Sequence, residues 1–326
     1  MTRTFEFKSV FAPYIQQMIE VRHSQGYIFE EQAYQLSRFD KYCVQKNITE
    51  SNVTRALFES WAARLPDEGS TAHYDRVREL RSFCIFMNTL GFQFWFPHVL
   101  PKPSKNIPYL MDDSDICAFF EVLDKRTPIS TYPGPQRVNV EYKVIFRLII
   151  CCGLRNSEAA ELKTDDVNLS NGTFKVIHSK GDKDRIVYMA EDVRILCGQY
   201  YQWLVKTLGY TPIWFFPGIH PDKHIHKSTL CTVFSETWKQ TDNSRCCDKK
   251  PTVHGMRHFF VIKRMHTWIR EERSLNVMMP YLSSYLGHGE PSDTFYYYHQ
   301  LEEIFGEIHK KDQISAQLIP EVKHYE

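Results

Sequence analysis

Between Phe94 and Pro108 the chain reads Phe-Trp-Phe-Pro-His-Val-Leu-Pro-Lys-Pro-Ser-Lys-Asn-Ile-Pro, with prolines at 97, 101, 103 and 108. Each proline fixes φ and removes a backbone donor, so no helix runs through this stretch. Helical patterning lies on both sides of it. The segment therefore divides the chain, and residues 97–110 are expected to be a linker between two folded parts. A chain of 326 residues that is 43% hydrophobic can supply a core to each. Lys102 and Lys105 within the segment suit either contact with a phosphate backbone or simple solubility.

Before the prolines, apolar residues recur at helical spacing. Val10, Phe11, Ile15, Met18 and Ile19 form one set, and Ala33, Leu36, Phe39 and Cys43 a second. Val53, Leu57 and Trp61 follow Thr49, a candidate N-cap. Tyr74, Val77, Leu80, Cys84 and Met87 follow Ser70-Thr71 and end at Gly91. Four amphipathic helices are expected here. On the fourth, Arg78 and Arg81 share a face, with Arg76 nearby. They read as candidate DNA contacts or as an ordinary solvated helix face.

After the prolines the pattern is mixed. Asp112–Lys125 reads as a helix with an acidic start, Thr127–Gln136 as a proline-rich loop, and Val138–Cys152 as a strongly apolar helix. Gly153 breaks that helix, and Arg155 stands at the start of the next. Gly172–His178 and Asp184–Met189 are short β-type runs joined by Ser-Lys-Gly-Asp-Lys, a hairpin with Lys180 and Lys183 near its tip. Further helices are expected over 190–207, 227–240, 254–268, 276–286 and 300–310, with a loop from Pro212 to Lys227.

Bulk properties narrow the class. No apolar run approaches the ~18–20 residues that cross a membrane, and the first residues lack the apolar segment of a secretory signal. Nine scattered cysteines, an odd number, read as reduced thiols in a cytoplasmic protein. The vicinal pairs Cys151-Cys152 and Cys246-Cys247 do not have zinc spacing, and His220, His224 and His226 sit in a loop without a matching acid or cysteine pattern, so no metal is expected. A net charge of +1 neither requires nor excludes nucleic acid, since basic residues can gather on one face.

The chemistry concentrates at the C-terminal end. In Thr252-Val-His-Gly-Met-Arg-His, His254 and Arg257 are three apart and share one helical face. Phe259, Phe260, Ile262 and Met265 can anchor that helix. Leu286-Gly287-His288 reads as a helix stop that delivers a second imidazole, and Tyr297 follows nine residues later in a run of three tyrosines. A guanidinium, two imidazoles and a phenol are the parts needed to attack a phosphate ester.

Gly153-Leu-Arg155-Asn-Ser-Glu158, then Lys180, then His254-x-x-Arg257, then Leu286-Gly-His288, then Tyr297, resembles in order and spacing the tyrosine recombinase, or phage integrase, family. The resemblance is to the compact two-domain, Xer-like or mobile-element type. It implies a mainly α chain with a small β-hairpin or sheet. Residues 1–96 would form a four-helix core-binding (SAM-like) domain and 111–326 a mixed α/β catalytic domain with a C-terminal tail. It further implies cutting and rejoining of DNA through a covalent 3′-phosphotyrosyl intermediate, with no cofactor. Tyr297 would be the nucleophile, with Tyr296 and Tyr298 as neighbouring alternatives. Arg155, Arg257 and His288 would hold the phosphate, His254 would act as base or orient one, and Lys180 would protonate the leaving 5′-oxygen. Lys183, Lys102, Lys105, Arg76, Arg78 and Arg81 would contact DNA. Double-stranded DNA is the implied partner, with a homotetramer on DNA, a possible accessory recombinase, no membrane, and a nucleoid-associated location. Two other readings share these parts: a type IB topoisomerase, and a catalytically silent DNA-binding regulator.

Overall fold

The computed structural model describes residues 5–100, 108–177, 184–246, 249–288, 292–295 and 297. The chain divides into two compact units, Met1–Ile107 and Pro108–Glu326. The fold is mostly helical with one small sheet.

The first unit holds α1 (Ala12–Ser24), α2 (Glu30–Gln45), α3 (Arg55–Ala62) and α4 (Ser70–Thr89). Their apolar stripes close on one core of Phe11, Ile15, Leu36, Phe39, Phe58, Leu80, Phe83, Met87 and Phe94. The cap of α3 is Thr54, whose hydroxyl accepts the Leu57 N–H, rather than Thr49. The chain does not leave the unit where α4 ends. The Asn88 side chain donates to the Phe94 carbonyl and accepts the Phe94 N–H, at 2.9 and 2.7 Å, and the Trp95 N–H bonds to Val53 at 2.8 Å. Arg81 then holds the carbonyls of Pro97 and His98. The start of the proline-rich segment is thus tied to the first unit by polar contacts that periodicity does not register.

The second unit opens with α5 (Asp113–Lys125), whose acidic start is a capping box between Asp112 and Asp115. α6 (Pro133–Cys152) is one turn longer than expected, because Pro133 and Pro135 fall in its first turn. A proline there loses no helical hydrogen bond, so the segment read as loop to Gln136 is helical from Pro133. α7 (Asn156–Ala160) follows. The sheet has three antiparallel strands in the order β1 (Val167–Asn168), β2 (Thr173–Val176) and β3 (Arg185–Tyr188). β2 and β3 are the expected hairpin, in a register that pairs Phe174 with Val187, and β1 was not anticipated because it is two residues long. The hairpin tip, with Lys180 and Lys183, lies outside the described residues.

Four more helices complete the described part: α8 (Glu191–Leu208), α9 (Lys227–Trp238), α10 (Val253–Arg270) and α11 (Leu275–Leu286), with a short turn α12 (Ser292–Phe295). The helix expected at 300–310 lies outside the described residues. α10 belongs to two cores. Val253 and Met256 enter the large one with α5, α6, α8 and α9, while Phe260, Val261 and Met265 form a smaller one with Met279, Leu282, Leu286 and Tyr297.

α6 stops at Gly153, which is in the left-handed region at φ 64°, and a Cβ there would overlap the Phe260 ring of α10. Gly153→Ala therefore combines an unfavourable backbone with overpacking. It is expected to destabilise the second unit by about 2–4 kcal/mol, read as a lower urea midpoint than wild type.

Candidate active site

The site begins at that glycine. The reversal at Gly153 turns its carbonyl toward α10, where Arg257 Nη1 donates to it at 2.8 Å. Two residues later Arg155 is the N-cap of α7, and the Glu158 carboxylate accepts its N–H at 2.9 Å and its Nη1 at 2.6 Å. α11 ends at Gly287, also left-handed at φ 65°, and the N–H groups of Gly287 and His288 close back on the carbonyls of Ser284 and Ser283. The two carbonyls at this helix end are then bonded by the two expected arginines. Arg257 Nη2 donates to Leu286 at 2.7 Å and Arg155 Nη2 to Gly287 at 3.1 Å. Residues separated by more than a hundred positions in sequence thereby converge on one helix terminus.

Glu158 organises the charge. It is 5% exposed and takes Arg185 from β3 in a two-pronged pair at 3.0 and 2.7 Å, Arg155 at 2.6 Å, and Arg257 at a looser 3.9 Å. Burial alone would raise its pKa, but the hydrogen bonds and charge of Arg185, then those of Arg155, outweigh burial and hold it at about 2. Arg257 is 1% exposed, and burial followed by the charge of Arg155 lowers it to about 10, which leaves it cationic at pH 7. Arg185 also lies against Gly287, where an added Cβ would come within 2.9 Å of its Nη1.

On α10, His254 and His258 are one turn apart, and their rings meet edge to face, 4.6 Å between centroids at 82°. The protein around His254 and the charges of Arg257 and Arg155 lower its pKa. For His258, burial, then His254, Arg257 and His288, lower it to about 4, so the ring is neutral at pH 7. Tyr297 is 3% exposed and seated in the smaller core, yet its phenol oxygen lies 2.6 Å from His258 Nδ1. His288 Nδ1 lies 2.6 Å from the hydroxyl of the buried Thr294.

Of the residues singled out by sequence, Arg155, His254, Arg257, His288 and Tyr297 fall around this one helix end, while Lys180 lies outside the described residues. Tyr296 and Tyr298 also lie outside them. Two participants were missed. His258 carried a signal, since it stands four positions after His254 and adjoins Arg257. Arg185 carried none, because only the folded hairpin brings it to Glu158.

The basic residues of the first unit divide by environment. Arg76 does not present its charge at the surface. It is 1% exposed, pairs with Glu68 at 2.7 Å, donates to the carbonyls of Trp61 and Ala63, and covers the Trp61 ring. Its assignment to DNA contact gives way to a structural one, because a guanidinium enclosed in this way has no face left for a phosphate. Arg78 is exposed and paired with Asp75, and Arg81 is engaged with the chain at 97–98. Lys102, Lys105 and Lys183 lie outside the described residues.

Glu158 gives the site a pH dependence. Its folded pKa of about 2 is below the ordinary 4.5, so its contribution is present above pH 4.5 and lost as pH falls through 2. Glu158→Gln is expected to lower stability by about 3 kcal/mol at pH 7, the equivalent of that shift. The gap to wild type should shrink between pH 4.5 and 2 in urea titrations run across that range.

The phage integrase family model matches residues 128–303. A Sinorhizobium fredii protein assigned to the integrases/recombinases is 25% identical over 291 residues, covering 87% of this chain and 89% of that protein. Tyrosine recombinase XerD of Staphylococcus aureus is 24% identical over 292 residues, covering 85% and 90%. Among solved structures, the Tn1549 transposon integrase in complex with transposon right end DNA has the same fold, with a TM-score of 0.63 at 16% identity over 91% of this chain and 98% of that one. With more than half of its length inside the family model, and Arg155, His254, Arg257, His288 and Tyr297 gathered at one helix end, the chain belongs to the phage integrase family and is a tyrosine recombinase, an enzyme of DNA strand cleavage and transfer.

Proposed function

We propose that this enzyme performs site-specific recombination by cutting one DNA strand with Tyr297, holding it as a 3′-phosphotyrosyl ester, and passing it to a new 5′-hydroxyl. The observation that carries this reading is the bonding of Arg155 and Arg257 to the consecutive carbonyls of Gly287 and Leu286, the base of the segment that leads to His288 and Tyr297.

A phosphodiester under attack gains negative charge on its non-bridging oxygens. Two guanidiniums fixed by Glu158 and by carbonyls are held in place before that charge appears, so little reorganisation is needed when it does. His288, steadied by Thr294, adds a donor from the same helix end. A free phenol is only about one part in a thousand ionised at pH 7, so a neutral imidazole beside it is needed to take its proton. His254 lies behind His258 and orients it. Lys180, on the hairpin that Arg185 anchors, supplies the proton for the leaving 5′-oxygen. The covalent ester conserves the energy of the broken bond, so rejoining repeats the steps in reverse.

The first unit is read as a core-binding domain that holds the duplex by phosphate contacts sensitive to salt. A homotetramer on two duplexes is the proposed working assembly. The test is a nicked suicide duplex of the chain's own flanking DNA, run on a denaturing gel beside Tyr297→Phe. Wild type should give a covalent band and Tyr297→Phe none. A band that survives the substitution would reassign the nucleophile to Tyr296 or Tyr298. Binding with no band would favour a silent DNA binder, and relaxation of supercoils without partner exchange would favour a topoisomerase.

A further inference from the structure

The residue that touches the phenol is not the one singled out by spacing. His258 Nδ1 lies 2.6 Å from the Tyr297 oxygen, whereas the ring that His254 meets is that of His258. We infer that His258 is the general base of strand cleavage, receiving the Tyr297 proton at Nδ1; this rests on Tyr297 being the nucleophile.

The step balances without a cofactor. As the Tyr297 oxygen bonds to phosphorus, its O–H bond breaks and the proton passes to His258 Nδ1. The bond from phosphorus to the 5′-oxygen breaks with its electron pair on oxygen, and that oxygen takes a proton from Lys180. Rejoining returns the proton from His258 to the phenol.

The surroundings suit the role. His258 is half-buried and neutral at pH 7, so one ring nitrogen is bare and ready to accept. The groups that disfavour its imidazolium are His254 and Arg257 on its own helix and His288 beyond α11. A phosphodiester seated on Arg257 and Arg155 brings a negative charge that offsets these. The base therefore strengthens when DNA is bound and stays weak when it is not. Arg257 and His258 are adjacent on α10, so the group that holds the phosphate and the group that takes the proton move as one.

The experiment follows covalent-band formation on the suicide duplex for wild type and His258→Asn. Asparagine places an acceptor near the position of Nδ1 but cannot hold the proton. His258→Asn should bind DNA normally in a gel shift and cleave roughly 10²–10⁴-fold more slowly, the usual contribution of a general base. The second readout replaces Tyr297 with 3-fluorotyrosine, whose more acidic phenol depends less on a base. The gain from fluorination should be larger in His258→Asn than in wild type. Equal gains in both backgrounds would mean that His258 only positions the ring, and a wild-type cleavage rate in His258→Asn would remove it from the mechanism. Both outcomes leave the Tyr297 reaction standing, because Tyr297→Phe is run alongside. Absence of a wild-type band at Tyr297 would overturn both. If His258→Asn loses DNA binding, His258→Ala with added imidazole replaces it. Saturable rescue supports the inference, and its absence in a variant that binds DNA overturns it.

Discussion

A buried carboxylate ringed by guanidiniums governs this site. Glu158 caps the backbone of Arg155, pairs with that side chain, clasps Arg185 and lies within ion-pair range of Arg257. Uncompensated like charges at such distances would drive the three arginines apart, and burial would make the repulsion worse. With the carboxylate between them they are held together, short of full neutralisation, as the proposed seating of a phosphate there would require. α7, β3 and α10 are far apart in sequence, and this one side chain is where they meet.

Glycine makes that meeting geometrically possible. α6 and α11 both end in left-handed glycines, Gly153 and Gly287, and each is approached by a side chain that leaves no room for a Cβ: Phe260 in one case, Arg185 in the other. The turns bring the carbonyls of two helix ends within reach of one guanidinium: Arg257 bonds to Gly153 and Leu286, and Arg155 adds a bond to Gly287. Carbonyls at a helix C-terminus lack helical partners, and cationic side chains satisfy them while the helix dipole favours their charge.

Sequence and structure agree where the signal is local. The helix spans, the glycine stops and the hairpin follow from periodicity and turn chemistry; His254 and Arg257 lie on α10, and His288 directly follows the glycine stop of α11. What escaped depends on folded contacts or helix-end positions that periodicity does not register. Arg76 reads as a surface charge until Glu68 and the Trp61 carbonyl are seen to enclose it. Arg185 is one more strand residue until β3 places it on Glu158. Pro133 and Pro135 read as loop because the same residues that break a helix interior are tolerated at its first turn. His258 was legible in principle, since its spacing from His254 is a helical turn, but a spacing does not say which imidazole faces the phenol.

Tyr297, the proposed nucleophile, is a core residue as well. Its ring is packed with Phe260, Leu282 and Leu286, and its oxygen is turned to an imidazole. The ring secures the architecture, and the reactivity proposed for Tyr297 would rest on a single oxygen atom. On that proposal, a chain built in this way stands one atom away from a protein that retains its shape while leaving every strand uncut. Activity can thus be lost in a descendant without leaving a trace in its fold.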